Sequence, residues 1–317
     1  VLEAMIFLMT VFLLLGLSSF SQALDLEEII DGVKFNDSLV ESGVGHITCK
    51  DEFSIEPKTG LSPEEEAKSW RSGSDKEVFF AFEGEKARCD VKYVLRQVGT
   101  GKEVQVKHEE SFDGEKTMIF KYNIYGRVIQ AVIQSKKYFL TAYDPRIWSM
   151  PIIKEPPIPL ASLLKKQTGG DIKVTSVSLL GNERLGNDTC YKILVVTDKG
   201  KIKLWINPNK GYRPQKIEQD EETPMKRRMI TLVTLHQYPN NVWFPSKIVH
   251  RTYAFDKRSN NYKLSSTKTI VIHDDFKINV DVPDELFEIQ FPKGVKVYDR
   301  RIGGFSKTPA VKSWKTE

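Results

Sequence analysis

Cysteine is scarce: three in 317 residues, at positions 49, 89 and 190. That excludes a disulfide-dense scaffold, and an odd count allows at most one intramolecular bridge. No CxxC and no Cys/His spacing marks a metal site. The five histidines (46, 108, 236, 250 and 273) form no HExxH. GxSxG, a P-loop and a GxGxxG after a strand are all missing, so the common hydrolase, nucleotide and dinucleotide signatures are excluded. Charge of one sign is also lacking. The formal net charge of +5 comes from dispersed Lys and Arg, with KRR at 226–228 the one tight cluster. This is a mildly basic surface rather than a nucleic-acid footprint. No sequence repeat and no interdomain linker stands out.

Residues 5–17, MIFLMTVFLLLGL, form one apolar run. It is shorter than the roughly 20 residues a membrane-spanning helix needs. Followed by polar SSFSQ and by Ser21-Gln22-Ala23, it reads as a signal peptide over 1–23 with a small-x-small cleavage site. Glu3 stands where a basic n-region is usual, and Met5 is an alternative start; the competing reading is a buried N-terminal helix. Export permits a disulfide, and Cys49–Cys89 is the favoured pair, with three buried thiols as the alternative.

Beyond the leader, residues 25–42 place Leu26, Ile29, Ile30 and Val33 at i, i+3, i+4 and i+7, with Asp25 as N-cap and Gly43 and Gly45 as the stop. Ser62-Pro63-Glu64-Glu65 is a capping box that predicts a short helix to about Trp70. From 77 onward the pattern alternates. Strands are predicted at 89–95, 118–125, 127–134, 174–181, 191–197, 201–207, 228–235, 241–255, 268–282 and 287–291, separated by TDKG, NPNKG, YPNN and KRSNN turns. A proline-rich stretch at 145–159 leads into a short helix carrying Leu160, Leu163 and Leu164. The layout is α+β, with helices packed on one face of a curved antiparallel sheet.

Aromatics occupy both faces of several strands. Phe79, Phe80 and Phe82 crowd one; Phe120 and Tyr122 mark another; Trp205 stands on the polar side of KLWIN, and Trp243-Phe244 are adjacent. An antiparallel sheet with two apolar faces needs two covers. One cover is the chain's own helices and loops. The other is a hydrophobic ligand, in a cavity lined by Phe80, Phe82, Tyr93, Phe120, Tyr122, Trp148, Leu160, Leu163, Leu164 and Trp205. His273, Asp274 and Asp275, at a strand junction, are the alternative: carboxylates of a hydrolase.

The segment LDLEEIIDGVKFNDSLVESG, the hairpin KIKLWINPNKGYRPQKIE and the closing LFEIQFPKGVKVYDRR resemble those of the outer-membrane lipoprotein-sorting (LolA-like) superfamily. The resemblance covers most of residues 24–301 and leaves 302–317 as a tail. It implies an unclosed antiparallel β-barrel, a half-barrel of about eleven strands lidded by helices. It also implies a non-catalytic, monomeric periplasmic carrier without cofactor or metal. Such a carrier shelters acyl chains of lipids or lipoproteins between inner-membrane donors and outer-membrane acceptors. A periplasmic sensor or regulatory module of the same fold is the alternative. The chain exceeds the dedicated carriers by the 62–70 helix and the tail, and no position matches the family's lid-locking arginine.

Overall fold

The computed structural model describes residues 26–54, 62, 64–65, 70–123, 125, 127–135, 143–147, 150, 159–166, 173–222 and 226–307. The expected leader, Trp148 and most of the tail lie outside the described residues.

Helix α1 spans 26–38. The first meander follows: β1 (Ser42–Phe53), β2 (Trp70–Glu83), β3 (Lys86–Gln97), β4 (Glu103–Phe112), β5 (Thr117–Asn123) and β6 (Val128–Gln134). After helix α2 (Leu160–Leu164) comes the second: β7 (Val174–Leu185), β8 (Asp188–Thr197), β9 (Gly200–Asn207), β10 (Arg213–Glu221), β11 (Arg227–Tyr238), β12 (Val242–Asp256) and β13 (Asn261–Ile272). Short strands β14 (Lys277–Ile278), β15 (Lys296–Asp299) and β16 (Gly304–Lys307) follow.

All belong to one sheet, ordered 16-15-6-5-4-3-2-1-13-12-11-10-9-8-7, with β14 beside the start of β1. The two meanders join where β1 pairs antiparallel with β13, Cys49 opposite Ile270 and Asp51 opposite Lys268. Among the described residues only the β6–β15 pairing is parallel. The edges β7 and β16 do not meet, so the sheet is an open half-barrel with a small helical part. Register shifts at Val174/Ser176 and Leu179/Gly181 distort the β7 edge, which discourages pairing with another chain.

Among the described residues sixteen strands replace the expected eleven or so. Strand β4, EVQVKHEESF, escaped because His108 and Glu110 interrupt its inward row of Val104, Val106 and Phe112. The strand expected over 268–282 breaks at the turn 273–276. FEIQF is no strand: Phe287 closes a 3-10 turn, and Ile289 and Phe291 pack on the sheet from extended chain. Helix α1 ends at 38, and Gly43 and Gly45 lie inside β1 instead of stopping the helix. Close approach explains both: a Cβ on Gly43 would sit 2.5 Å from the Phe82 ring, and one on Gly45 2.3 Å from the Phe276 backbone. The capping box forms, with the Ser62 N–H donating to the Glu65 carboxylate at 3.0 Å, but Trp70 opens β2 and not a helix end.

Each strand sends alternate side chains to an inner and an outer face. On the inner face, α1 and α2 lie flat on β7–β10. Ile29, Ile30, Val33, Leu160, Leu163 and Leu164 mesh there with Ile193, Val195, Ile202, Leu204, Ile206 and Ile217. A second inner cluster joins the meanders through Ile47, Val78, Phe80, Phe82, Phe244, Ile248, Ile270 and Phe276. The outer face of β2–β6 is covered by the returning C-terminal chain. Phe287 packs there with Ala81, while Ile289, Phe291 and Val297 pack with Met118 and Phe120.

Candidate functional site

The volume between the helices and the sheet, where a lipid cavity was expected, is filled. Leu160, Leu163 and Leu164 are at most 2% exposed and touch the aliphatic wall of β8–β10 directly. Phe80 and Phe82 are sealed in the inner core, with the Arg146 guanidinium 4.5 Å over the Phe82 ring. All five are core: the leucines because α2 rests on β8–β10 with no layer between, and Phe80 and Phe82 because they pack with Ile47, Phe244 and Phe276.

Three other expected lining residues lie on the wrong face. Phe120 and Tyr122 point outward: Phe120 meets Phe291 edge-on at 5.6 Å, and the Tyr122 hydroxyl donates to Glu109 at 2.8 Å. Trp205 also points outward, since its neighbours Leu204 and Ile206 face the helices. It is buried under the ammonium groups of Lys192 and Lys216, 5.2 and 4.3 Å from the ring. Lysine stems that bury their methylenes explain a tryptophan on a polar face. Tyr93 is on the inner face, half-buried, with Lys121 Nζ 5.5 Å from its ring.

The expected Cys49–Cys89 bridge is not formed; all three cysteines are free and buried. Cys49 pairs across β2 with Lys76, whereas Cys89 pairs with Phe80. A whole strand separates them, roughly 9–10 Å at sheet spacing, beyond disulfide reach. Burial pushes the Cys49 and Cys190 thiols up to about 11 and Cys89 well above its ordinary value, which leaves weak nucleophiles.

His273, Asp274 and Asp275 sit exposed on the outer surface. His273 Nε2 is 2.5 Å from Thr48 Oγ1, and Asp275 Oδ2 is 2.5 Å from His46 Nδ1. Two different imidazoles serve the hydroxyl and the carboxylate, so no single ring links the two as a nucleophilic relay requires. The bond from His46 holds the Asp275 carboxyl below its usual range. These contacts fasten the 273–276 turn to β1.

The inner face is open at its other end. There β1, β11, β12 and β13 enclose a groove of about 360 Å³, lined by Asp51, Phe53, Thr231, Ile248, His250, Thr252, Ser266, Lys268 and Ile270. Its floor, Ile248 and Ile270, is continuous with the core. Phe53 stands 63% exposed at the rim. His250 Nδ1 lies 2.8 Å from Thr231 Oγ1, and burial, then Lys268 and Arg227, lower the imidazole to about 4, so it is neutral. Asp51 pairs closely with Lys76, and Lys268 Nζ is 3.7 Å from its second oxygen. A larger groove, about 540 Å³, crosses the outer face past Glu77, Lys92 and Lys107. Its interleaved charges describe a solvated surface.

The groove residues were missed in the sequence because none belongs to a catalytic or metal motif. A signal was present, however. In KTIVI and KIVHRT the inward alternation runs from isoleucine to Lys268 and to His250 and Thr252, polar groups where a sealed face has aliphatics. His108, also inner, is lowered to about 4 by burial and Lys121. Among the described residues no cluster of His, Cys, Asp and Glu has metal-site geometry, and no helix is long and apolar enough to cross a membrane.

No family model matches the chain, and no curated protein does. Among solved structures it is similar to the crystal structure of a DUF1329 family protein from Desulfovibrio piger ATCC 29098, with 9% sequence identity and a TM-score of 0.41, covering 83% of this chain and 97% of that one.

Proposed function

We propose that the chain is a non-catalytic binding protein that shelters an acyl chain of a lipid or lipoprotein in the inner-face groove between β1 and β11–β13. One observation carries this reading: a groove of about 360 Å³, floored by buried Ile248 and Ile270 and rimmed by exposed Phe53. The volume is at the small end of ligand sites, which fits one chain and not several. At about 0.8 kcal/mol per buried methylene, ten methylenes supply roughly 8 kcal/mol, a micromolar affinity before ordering costs. Carriage as a monomer through a periplasm, from an inner-membrane donor to an outer-membrane acceptor, extends this reading on the strength of the lipoprotein-sorting resemblance.

Titration with an environment-sensitive fluorescent acyl probe tests it. Saturable micromolar binding is expected, lost in Thr252→Trp, which fills the groove, and kept in Lys107→Gln on the outer face. Absence of saturable binding, or binding indifferent to Thr252→Trp, overturns the reading.

A further inference from the structure

Among the described residues, the groove wall carries one cation more than its anions match. Asp51 projects inward between two lysines. Lys76, from β2, holds one carboxylate oxygen, and Lys268, from β13, stands 3.7 Å from the other. One carboxylate therefore answers two ammonium groups. The remaining charged and titratable neighbours do not change that balance. Arg227 is paired with Glu221, one of its two contacts at 2.9 Å. His250 is bonded to Thr231 and uncharged at neutral pH.

Lys268 is the looser partner and has 35% of its side chain exposed. Two residues along β13 in one direction lies buried Ile270; two in the other lies Ser266, and Thr252 faces Ser266 from β12. An alkyl chain laid on Ile248 and Ile270 thus has its polar end beside an ammonium group and two hydroxyls. Covering the groove with a neutral ligand strips water from Lys268 and returns nothing, whereas an anion restores a charge-assisted bond.

Resting on the acyl-binding reading, we propose that the groove selects single-chain amphiphiles with one anionic head, the head seated on Lys268. A fatty-acid carboxylate and a lysophospholipid phosphate share this chemistry. Fully esterified or neutral acyl ligands do not.

Competition against the fluorescent acyl probe separates the possibilities. The competitors are dodecanoate, dodecanol and the lysophosphatidate of equal chain length, each against wild type, Lys268→Gln and Lys268→Arg. Wild type is expected to prefer an anionic competitor over the alcohol by about tenfold or more. Lys268→Gln should erase that preference and Lys268→Arg keep it, and added salt should weaken only the anionic ligands. Whichever anion binds tighter identifies the head. Equal binding of acid and alcohol by wild type, or a preference that survives Lys268→Gln, overturns the inference while acyl binding stands. Failure of every competitor and of the probe overturns both. Lys268→Gln leaves Asp51 paired with Lys76, so it should fold; should its unfolding midpoint collapse, Lys268→Arg and the salt series decide.

Discussion

The inner wall under the helices and the inner wall at the groove belong to the same face of the same sheet. Directly under α1 and α2 the inward positions of β8, β9 and β10 include Ile193, Val195, Ile202, Leu204, Ile206 and Ile217, all nearly sealed from solvent, with the polar Thr197 and Gln219 at the strand ends. At the groove, β1, β12 and β13 begin the same way, with Ile47, Ile248 and Ile270, then switch to Asp51, His250, Thr252, Lys268 and Ser266. A wall covered by its own chain can be purely aliphatic because water never reaches it. A wall that meets solvent or ligand keeps polar groups at every second position. The switch falls where the described cover of helices stops.

The covered wall should break hardest. Ile30→Asp sets a carboxylate against the β8–β10 aliphatics and should cost several kcal/mol. A urea midpoint equal to wild type would show that α1 is not docked through this face. Next, like truncations should separate the walls: within the range of about 0.5–1.5 kcal/mol, Ile206→Val under the helices should cost more than Ile248→Val at the groove floor. Equal losses in paired denaturation curves would erase the distinction.

Acid should sharpen it further. His250 and His108 both titrate near 4 when folded, below the roughly 6.5 of an unfolded histidine. The unfolded chain therefore binds protons first as pH falls. The stability contributed by the neutral rings is complete above about pH 6.5, declines between 6.5 and 4, and falls no further below 4 on their account. With values near 4 folded and 6.5 unfolded, the full loss should be on the order of 3 kcal/mol per histidine. His250→Gln should flatten the slope of urea midpoint against pH in that window, and an unchanged slope would mean that His250 is not buried neutral. The smallest effect belongs to the outer surface. Asp275→Asn weakens an exposed pair with His46 and should shift stability by less than about 1 kcal/mol by thermal denaturation.

Much of the architecture was legible in periodicity. The α1 stripe Ile29, Ile30 and Val33 and the leucines of α2 are buried as their spacing requires, and most strands lie where alternation puts them. The candidate lining was less legible. Alternation groups Phe80 with Phe82 and opposes Trp205 to Leu204, but it does not say which group faces inward. Phe120 and Tyr122 were misplaced for that reason: their cover is Phe291 and its neighbours, far along the chain. FEIQF looked like a strand because apolar alternation also describes an extended segment lying across a sheet.

The sequence by itself determined the period of each element, and hence which side chains travel together. It also determined where inward positions turn from isoleucine to lysine and histidine. Only the tertiary structure decided which face is inner, how far the helices cover it and which cation is left without a full partner. Those outcomes depend on contacts between distant parts of the chain. The Tyr212 hydroxyl donates to Glu28 at 2.7 Å across 184 positions, and Lys268 reaches the Asp51 that Lys76 already holds. Local periodicity carries no information about such long-range pairings, because the short-range sterics that set it do not depend on what packs above the strand.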